Sequence, residues 1–365
     1  MGTDNQHIAD KRLSLMEAFA DLPDPRVAGR SKHDLVEMMV VTVCSLVYGV
    51  DEFTGVEAWE NERIDWLRRS LKLENGIPSH DTFGRLFGLL DRRAVEKSFC
   101  LWVSHLLPAL AEGTVVAIDG KASRRSRMTG QEACAEKPNE LTAIPVLLEA
   151  LLLKGAIVTI NAMGTHNNIA QAIRDKDADY VLAVKDNQPN QAESIKTFFE
   201  IGQSAGWKDK PHTYTESVEK DHGRLEVRRC WAFDQLDCLS KPEQWADLKM
   251  FGVIEAEHTV DGKTSFERRL YIGSIAPDAG ARANVVRAHW GIENRVHWCL
   301  DVALNDDQMR ARMKNARANL AIIRRLVLNL FRLDTSKRKG DIRICRFLAA
   351  SSDSYRETLL GLSAV

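Results

Sequence analysis

Val115-Val116-Ala117-Ile118-Asp119 and Ile157-Val158-Thr159-Ile160-Asn161 decide the fold. Each is a short run of β-branched and apolar residues that ends in a polar one, the pattern of a buried strand. Around them the spacing turns helical. Leu141 to Leu153 reads as an apolar helix and Asn167 to Asp175 as another, and Tyr180 to Val184 reads as a third strand. Strands alternating with helices imply a parallel or mixed α/β sheet. Sites in such sheets form beyond the carboxyl ends of neighbouring strands, so residues 119 and 161 are expected at one end of the sheet.

Upstream, residues 10–110 read mostly as helices. Asp34 caps a helix through Val47 that Gly49 ends, and Gly55 to Leu71 follows. Ser79 caps Asp81 to Leu90, and Ala94 to Leu107 stops before Pro108. Downstream, His212 to Ile275 is rich in β-branched and aromatic residues with turns at Gly223 and Asp261-Gly262, an antiparallel module inserted into the α/β domain. Helix returns at Ala281 to Leu304 and Ala316 to Leu333. A basic cluster follows: Lys337, Arg338, Lys339, Arg343 and Arg346.

Bulk properties narrow the class. The chain has 365 residues, 44% hydrophobic and 28% charged, enough for two or three ordinary domains. A net charge of −1 argues against coating DNA by bulk charge but leaves room for local basic patches. The 7 cysteines are scattered without a C-x-x-C pair, as expected of buried thiols in a reducing compartment. The polar N-terminus lacks a signal-peptide core, and no apolar run reaches the ~18–20 residues of a membrane span. A cytoplasmic protein with no membrane partner is the expectation.

A third acid, Glu293, sits within His289-Trp290-Gly291-Ile292-Glu293-Asn294-Arg295-Val296-His297-Trp298. Two strand-end acids and one helix acid can hold two Mg²⁺ ions, which prefer hard oxygen ligands and retain waters. Such a pair stabilises the attacking and leaving oxygens of in-line phosphoryl transfer. Asp and Asn also end strands simply because they cap turns, and the His and Trp residues equally suit a packed aromatic face, so spacing alone leaves both roles open.

Val116-Ala117-Ile118-Asp119-Gly120-Lys121 resembles the first-aspartate motif of the ISAs-type insertion-sequence transposases, which include the H-repeat-associated proteins. Asn139 to Pro145, Gly155 to Gly164, Asp179 to Gln188, Asp221 to Arg224, the His289 to Asp301 block, Asp24-Pro25-Arg26 and Gly76 to Thr82 fit the same family in order. The resemblance implies an α/β ribonuclease-H-like DDE catalytic domain with a β-rich insertion, preceded by an all-helical N-terminal domain. The implied boundaries are 1–110 for the helical domain, 111–335 for the DDE domain with its insertion at about 205–278, and 336–365 for a basic C-terminal tail. It implies two-metal cleavage and transfer of DNA strands, with two Mg²⁺ ions (Mn²⁺ as substitute) held by Asp119, residue 161 and Glu293. Asp301 is the alternative third acid. Double-stranded DNA, as element terminal repeats and target, is the implied partner, and a homodimer on DNA the implied assembly.

Two departures stand out. The family's second motif reads Asp-Ala-Met-Gly, and here it is Asn161-Ala162-Met163-Gly164. An amide loses the negative charge and puts an NH₂ where a metal contact belongs, so cleavage in this copy is expected to be impaired. The span from Lys121 to Glu140 is also too short for two core strands at ~5–6 residues each plus turns. A hairpin is therefore expected to be missing near 124–138, leaving the first strand near a sheet edge. A non-catalytic DNA-binding remnant, or inhibitor of an active relative, is the alternative function. A junction-resolving nuclease is disfavoured by the long β insertion and the His-Trp-x-Ile-Glu-Asn helix.

Basic and aromatic groups around the acids are the expected DNA contacts: Lys121, Arg124, Arg125, Lys185, His289, Trp290, Asn294, Arg295 and His297. The cations would neutralise phosphates, and an exposed Trp would stack on a base.

Overall fold

A computed structural model describes residues 13–106, 110–120, 144–145, 147–149, 151–221, 224–311, 313–334 and 341–362. In chain order the helices begin with α1 (Leu15–Ala20), α2 (Leu35–Tyr48), α3 (Phe53–Leu67), α4 (His80–Leu89) and α5 (Arg92–Leu106). Then come β1 (Val115–Ile118), β2 (Ile157–Ile160), α6 (Asn167–Arg174), β3 (Asp179–Val184) and α7 (Pro189–Ser204). The strands β4 (Thr213–Asp221), β5 (Arg224–Phe233), β6 (Met250–Val260) and β7 (Lys263–Gly273) follow, then α8 (Ala279–Ile292) and a π-helical segment, Glu293–His297. The chain finishes with α9 (Trp298–Ala303), α10 (Ala316–Arg332), α11 (Ile342–Ser351) and α12 (Asp353–Leu360).

The chain divides into two compact units. One holds residues 1–108 and 295–365, the other mainly 109–122 and 128–294. The helical unit is built around α2. Asp34 caps it by accepting the Glu37 N–H at 2.9 Å, and Gly49 ends it with φ 123°, a conformation that costs glycine little. Met38 to Val47 are buried on every side of the helix, which explains an apolar run too short to span a bilayer. Among the described residues no helix is long and apolar enough to cross a membrane.

The stretch expected as a basic tail folds into this unit instead. Its helices α11 and α12 bury Cys345, Ala349, Leu359 and Leu360. Arg346 is buried with them, donating to the Leu46 and Ala303 carbonyls at 3.0 and 2.6 Å and pairing with Asp51 at 2.5 Å. Its charge is satisfied internally. Arg343, on the same helix, stays exposed with its guanidinium 5.8 Å from the Trp298 ring centroid, and the rest of the expected cluster, Lys337 to Lys339, lies outside the described residues.

Among the described residues, the other unit holds one seven-stranded sheet in the order β1-β2-β3-β7-β6-β5-β4. The first three strands are parallel, and β7 joins antiparallel to β3. The expected antiparallel module is therefore not a separate sheet: β4 to β7 continue the α/β sheet across the β3–β7 pairing. Among the described residues β1 is the outermost strand on its side. The hairpin expected to be missing near 124–138 lies outside the described residues.

Alternation along the strands gives the sheet two faces. Val158, Ile160, Tyr180, Leu182, Phe233, Phe251 and Val253 pack against α6 and α7 residues including Ile173, Ile195 and Phe199. Val181, Cys230, Ala232, Ile254 and Tyr271 pack on the other face with Val285 and Val286 of α8.

Candidate functional site

The strand register places the two decisive residues together. Ile118 pairs with Ile160, so Asp119 and Asn161 leave the sheet side by side at the carboxyl ends of β1 and β2. The Asn161 amide donates to Asp119 Oδ1 at 2.9 Å. Its own oxygen accepts the Gly164 N–H at 3.3 Å, capping the 3₁₀ turn Ala162–Gly164. Those two bonds fix the direction of the amide: oxygen towards the turn, NH₂ towards the carboxylate.

His289 of α8 completes the rim. Its Nδ1 lies 2.9 Å from Thr159 Oγ1 on β2, two residues before Asn161. Burial pushes the His289 pKa below its ordinary value, opposed by the nearby Asp119 charge and by the Thr159 bond. A cleft opens beside this group, lined among others by Asn161, Lys185, Arg269, Tyr271, His289 and Trp290. Trp290 is 42% exposed, and the Arg269 guanidinium lies 3.9 Å from its ring centroid.

Helix α8 is fixed to the sheet near its start. Arg282 is fully buried and its Nη2 donates to the Trp231 and Val253 carbonyls at 2.6 and 2.8 Å. Gly252 makes room for it: a Cβ there would stand 2.5 Å from Arg282 Cζ. This bolt sits seven residues before His289, two turns along the same face of the helix.

The sheet and helix sequences match a known family. Residues 115–330 match the model described as transposase DDE domain, and residues 16–103 match the model described as DDE_Tnp_1-associated. The chain belongs to the DDE transposases. It is 34% identical to an Escherichia coli O157:H7 protein named "Putative transposase YncI", over 95% of this chain and 94% of that one. It is 29% identical to the "H repeat-associated putative transposase YhhI" of Escherichia coli K12, over 95% and 98% of the two chains. A piggyBac transposase synaptic complex with hairpin DNA is a loose structural likeness, with TM-score 0.38 and 10% identity over 98% of this chain and 79% of that one.

The function that follows is that of an insertion-sequence DNA transposase, a family that generally uses divalent metal ions. Transposase residues expected from the sequence are brought together in part. Asp119, Asn161, Lys185, His289 and Trp290 gather at one end of the sheet. Glu293 opens the π-helical segment after α8, a local helix form frequent at functional sites, while its side chain and that of Asn294 lie outside the described residues. Arg295, His297 and the alternative acid Asp301 belong to the helical unit. Lys121, Arg124 and Arg125 lie outside the described residues.

The donor set can be tested against the metal. Among the described residues, no three His, Cys, Asp or Glu converge on one point. The amide N–H of Asn161 points at the Asp119 oxygen that a cation would take, which is the wrong polarity for a shared ion. As placed, these two residues do not fit a shared divalent ion. Sequence reading missed Thr159, Arg269 and Tyr271. Arg269 stands among charged residues of a half-exposed strand, and only the register that sets it one residue beyond the Val184–Leu270 pair, opposite Lys185, draws attention to it.

Proposed function

We propose that this transposase chain retains the DNA-binding cleft of its family and has lost efficient strand cleavage at position 161. The observation that carries the reading is the Asn161 NH₂ donating to Asp119 at 2.9 Å. Two carboxylates side by side repel each other and draw in a cation. A carboxylate and an amide satisfy each other and need none.

In this reading the sheet is a ribonuclease-H-like core, supported by the parallel β1–β2–β3 run that carries positions 119 and 161. In an intact relative, Asp119, an aspartate at 161 and Glu293 would hold the Mg²⁺ ions. The chain acts on double-stranded DNA ends in the cytoplasm, paired as a homodimer because transfer of two ends requires two sites. A second reading is favoured by the same amide: a chain that occupies element ends without cutting them and so inhibits an active relative.

The test is cleavage of labelled duplex carrying the element's own ends, with Mg²⁺ or Mn²⁺, by the natural chain and its Asn161→Asp variant. Restored cutting by the variant alone supports the proposal. Equal cutting by both rejects it. The expected gain is about a hundredfold or more, since removing one charge-stabilising group from such a site costs that order in rate.

A further inference from the structure

Arg269 and Glu267 have no place in the chemistry above, yet they stand at its edge. They are two residues apart on β7 and therefore share the sheet face that α8 covers. Glu267 grips the Arg269 fork at both ends, Oε1 to Nε and Oε2 to Nη2, each at 2.6 Å. The fork also lies over the Trp290 ring. It lines the cleft together with Lys185 and Asn161. Arg269 holds the Glu267 carboxyl below the usual carboxylate range, and Lys185 pulls in the same direction.

A guanidinium held over an indole, with two of its donors on one carboxylate, is pre-shaped for one other kind of ligand. A phosphodiester presents two oxygens to the same fork with the same geometry. Lys185 supplies a second positive charge opposite it. Glu267 is only partly covered, its side chain 43% exposed, so water can take it when a stronger anion arrives.

We infer that Arg269 grips a DNA backbone phosphate in this cleft, and that Glu267 is the internal stand-in which that phosphate displaces. The inference rests on the DNA-binding reading of the cleft. It adds the residue that makes the contact and the acid that weakens it in the free protein. Glu267 thereby lowers the affinity for DNA whose phosphate must take its place on the Arg269 fork, while Trp290 keeps the fork in place during the exchange.

The experiment is equilibrium binding of a labelled 30-base-pair duplex of arbitrary sequence, across a salt series, with the full-length natural chain and four variants. Arg269→Met should weaken binding and lower the slope of log affinity against log salt by about one, the signature of one lost phosphate contact. Arg269→Lys should restore the slope but not the full affinity, because it keeps the charge and loses the fork. Glu267→Gln should tighten binding by about three- to tenfold, as expected for removal of a competing charge. Glu267→Gln added to Arg269→Met should have no such effect. Thermal melting checks that each variant is folded. Glu243→Gln, removing an exposed acid of the same unit, gives the size of a general charge effect.

If Glu267→Gln tightens binding equally with and without Arg269, or no more than Glu243→Gln does, the stand-in role is wrong while the cleft still binds DNA. An unchanged salt slope in Arg269→Met overturns the phosphate contact itself. If the natural chain and Glu267→Gln both fail to bind DNA at low salt, the DNA-binding reading falls and this inference falls with it.

Discussion

Against α7 the sheet presents packed rings, and against α8 it presents a smaller apolar core bordered by hydrogen-bonding groups. On the α7 face, Phe199 sits 5.0 and 5.1 Å from the Trp231 and Trp207 rings, and Phe233 stacks on Phe251 at 5.1 Å. Such rings bury large apolar areas and gain further from edge-on contacts. On the α8 face lie a buried guanidinium, the Thr159–His289 pair and the cleft beside Asn161. The same strands feed both faces, since alternate residues go to opposite sides. One face is given wholly to packing, and the other also arranges polar groups at the strand ends.

If that division is right, damage to the two faces should be separable. The largest effect is expected from Phe199→Ala, which opens a cavity among packed rings. A loss of about 3–5 kcal/mol is expected in denaturant unfolding. DNA binding per folded molecule should be unchanged, and a selective loss of binding at full stability would break the comparison.

Gly252→Ala probes the α8 face. The added methyl meets the buried Arg282 guanidinium and the Trp231 carbonyl, so about 1–3 kcal/mol of stability should be lost. Because Arg282 fixes the helix bearing His289 and Trp290, DNA affinity should fall as well, after correction for the folded fraction. A variant that loses stability alone would show that Arg282 is a structural bolt with no bearing on the cleft.

The smallest effect concerns pH. Burial depresses the His289 pKa, so the folded chain binds that proton less readily than the unfolded chain does. Its contribution to stability is full above the ordinary histidine pKa of about 6.5 and is lost as pH falls from there through the folded value. His289→Gln should remove that part of the acid-side loss, read as a flatter melting temperature between pH 7 and pH 5. An identical slope in both chains would place His289 in water rather than on Thr159.

Much of this was legible in the sequence, for physical reasons. Apolar runs ending at Asp119 and Asn161 announce buried strands and the residues that leave them. The β-branched texture after His212 announces four further strands, with turns where Asp261-Gly262 sits. Less legible was where charge goes. Arg282 and Arg346 look like solvated cations in a linear reading, but the fold buries both on backbone carbonyls. The clamp between Glu267 and Arg269 is a strand-face relation, and it acquires meaning only when β7 lands beside β3. The substitution at Asn161 was visible as a lost charge. That its NH₂ turns to Asp119 was not, because that direction is set by the Gly164 N–H on its other side.

The central claim is that the amide at position 161 satisfies Asp119 in place of a cation. Calorimetric titration of Mn²⁺ into the natural chain and Asn161→Asp, both without DNA, tests it most directly. The account predicts weak or no binding to the natural chain and at least about tenfold tighter binding to the variant, a difference of ~1.4 kcal/mol or more. Equal affinity in the two chains would contradict it, because Asp119 would then be available to a metal whatever stands at position 161.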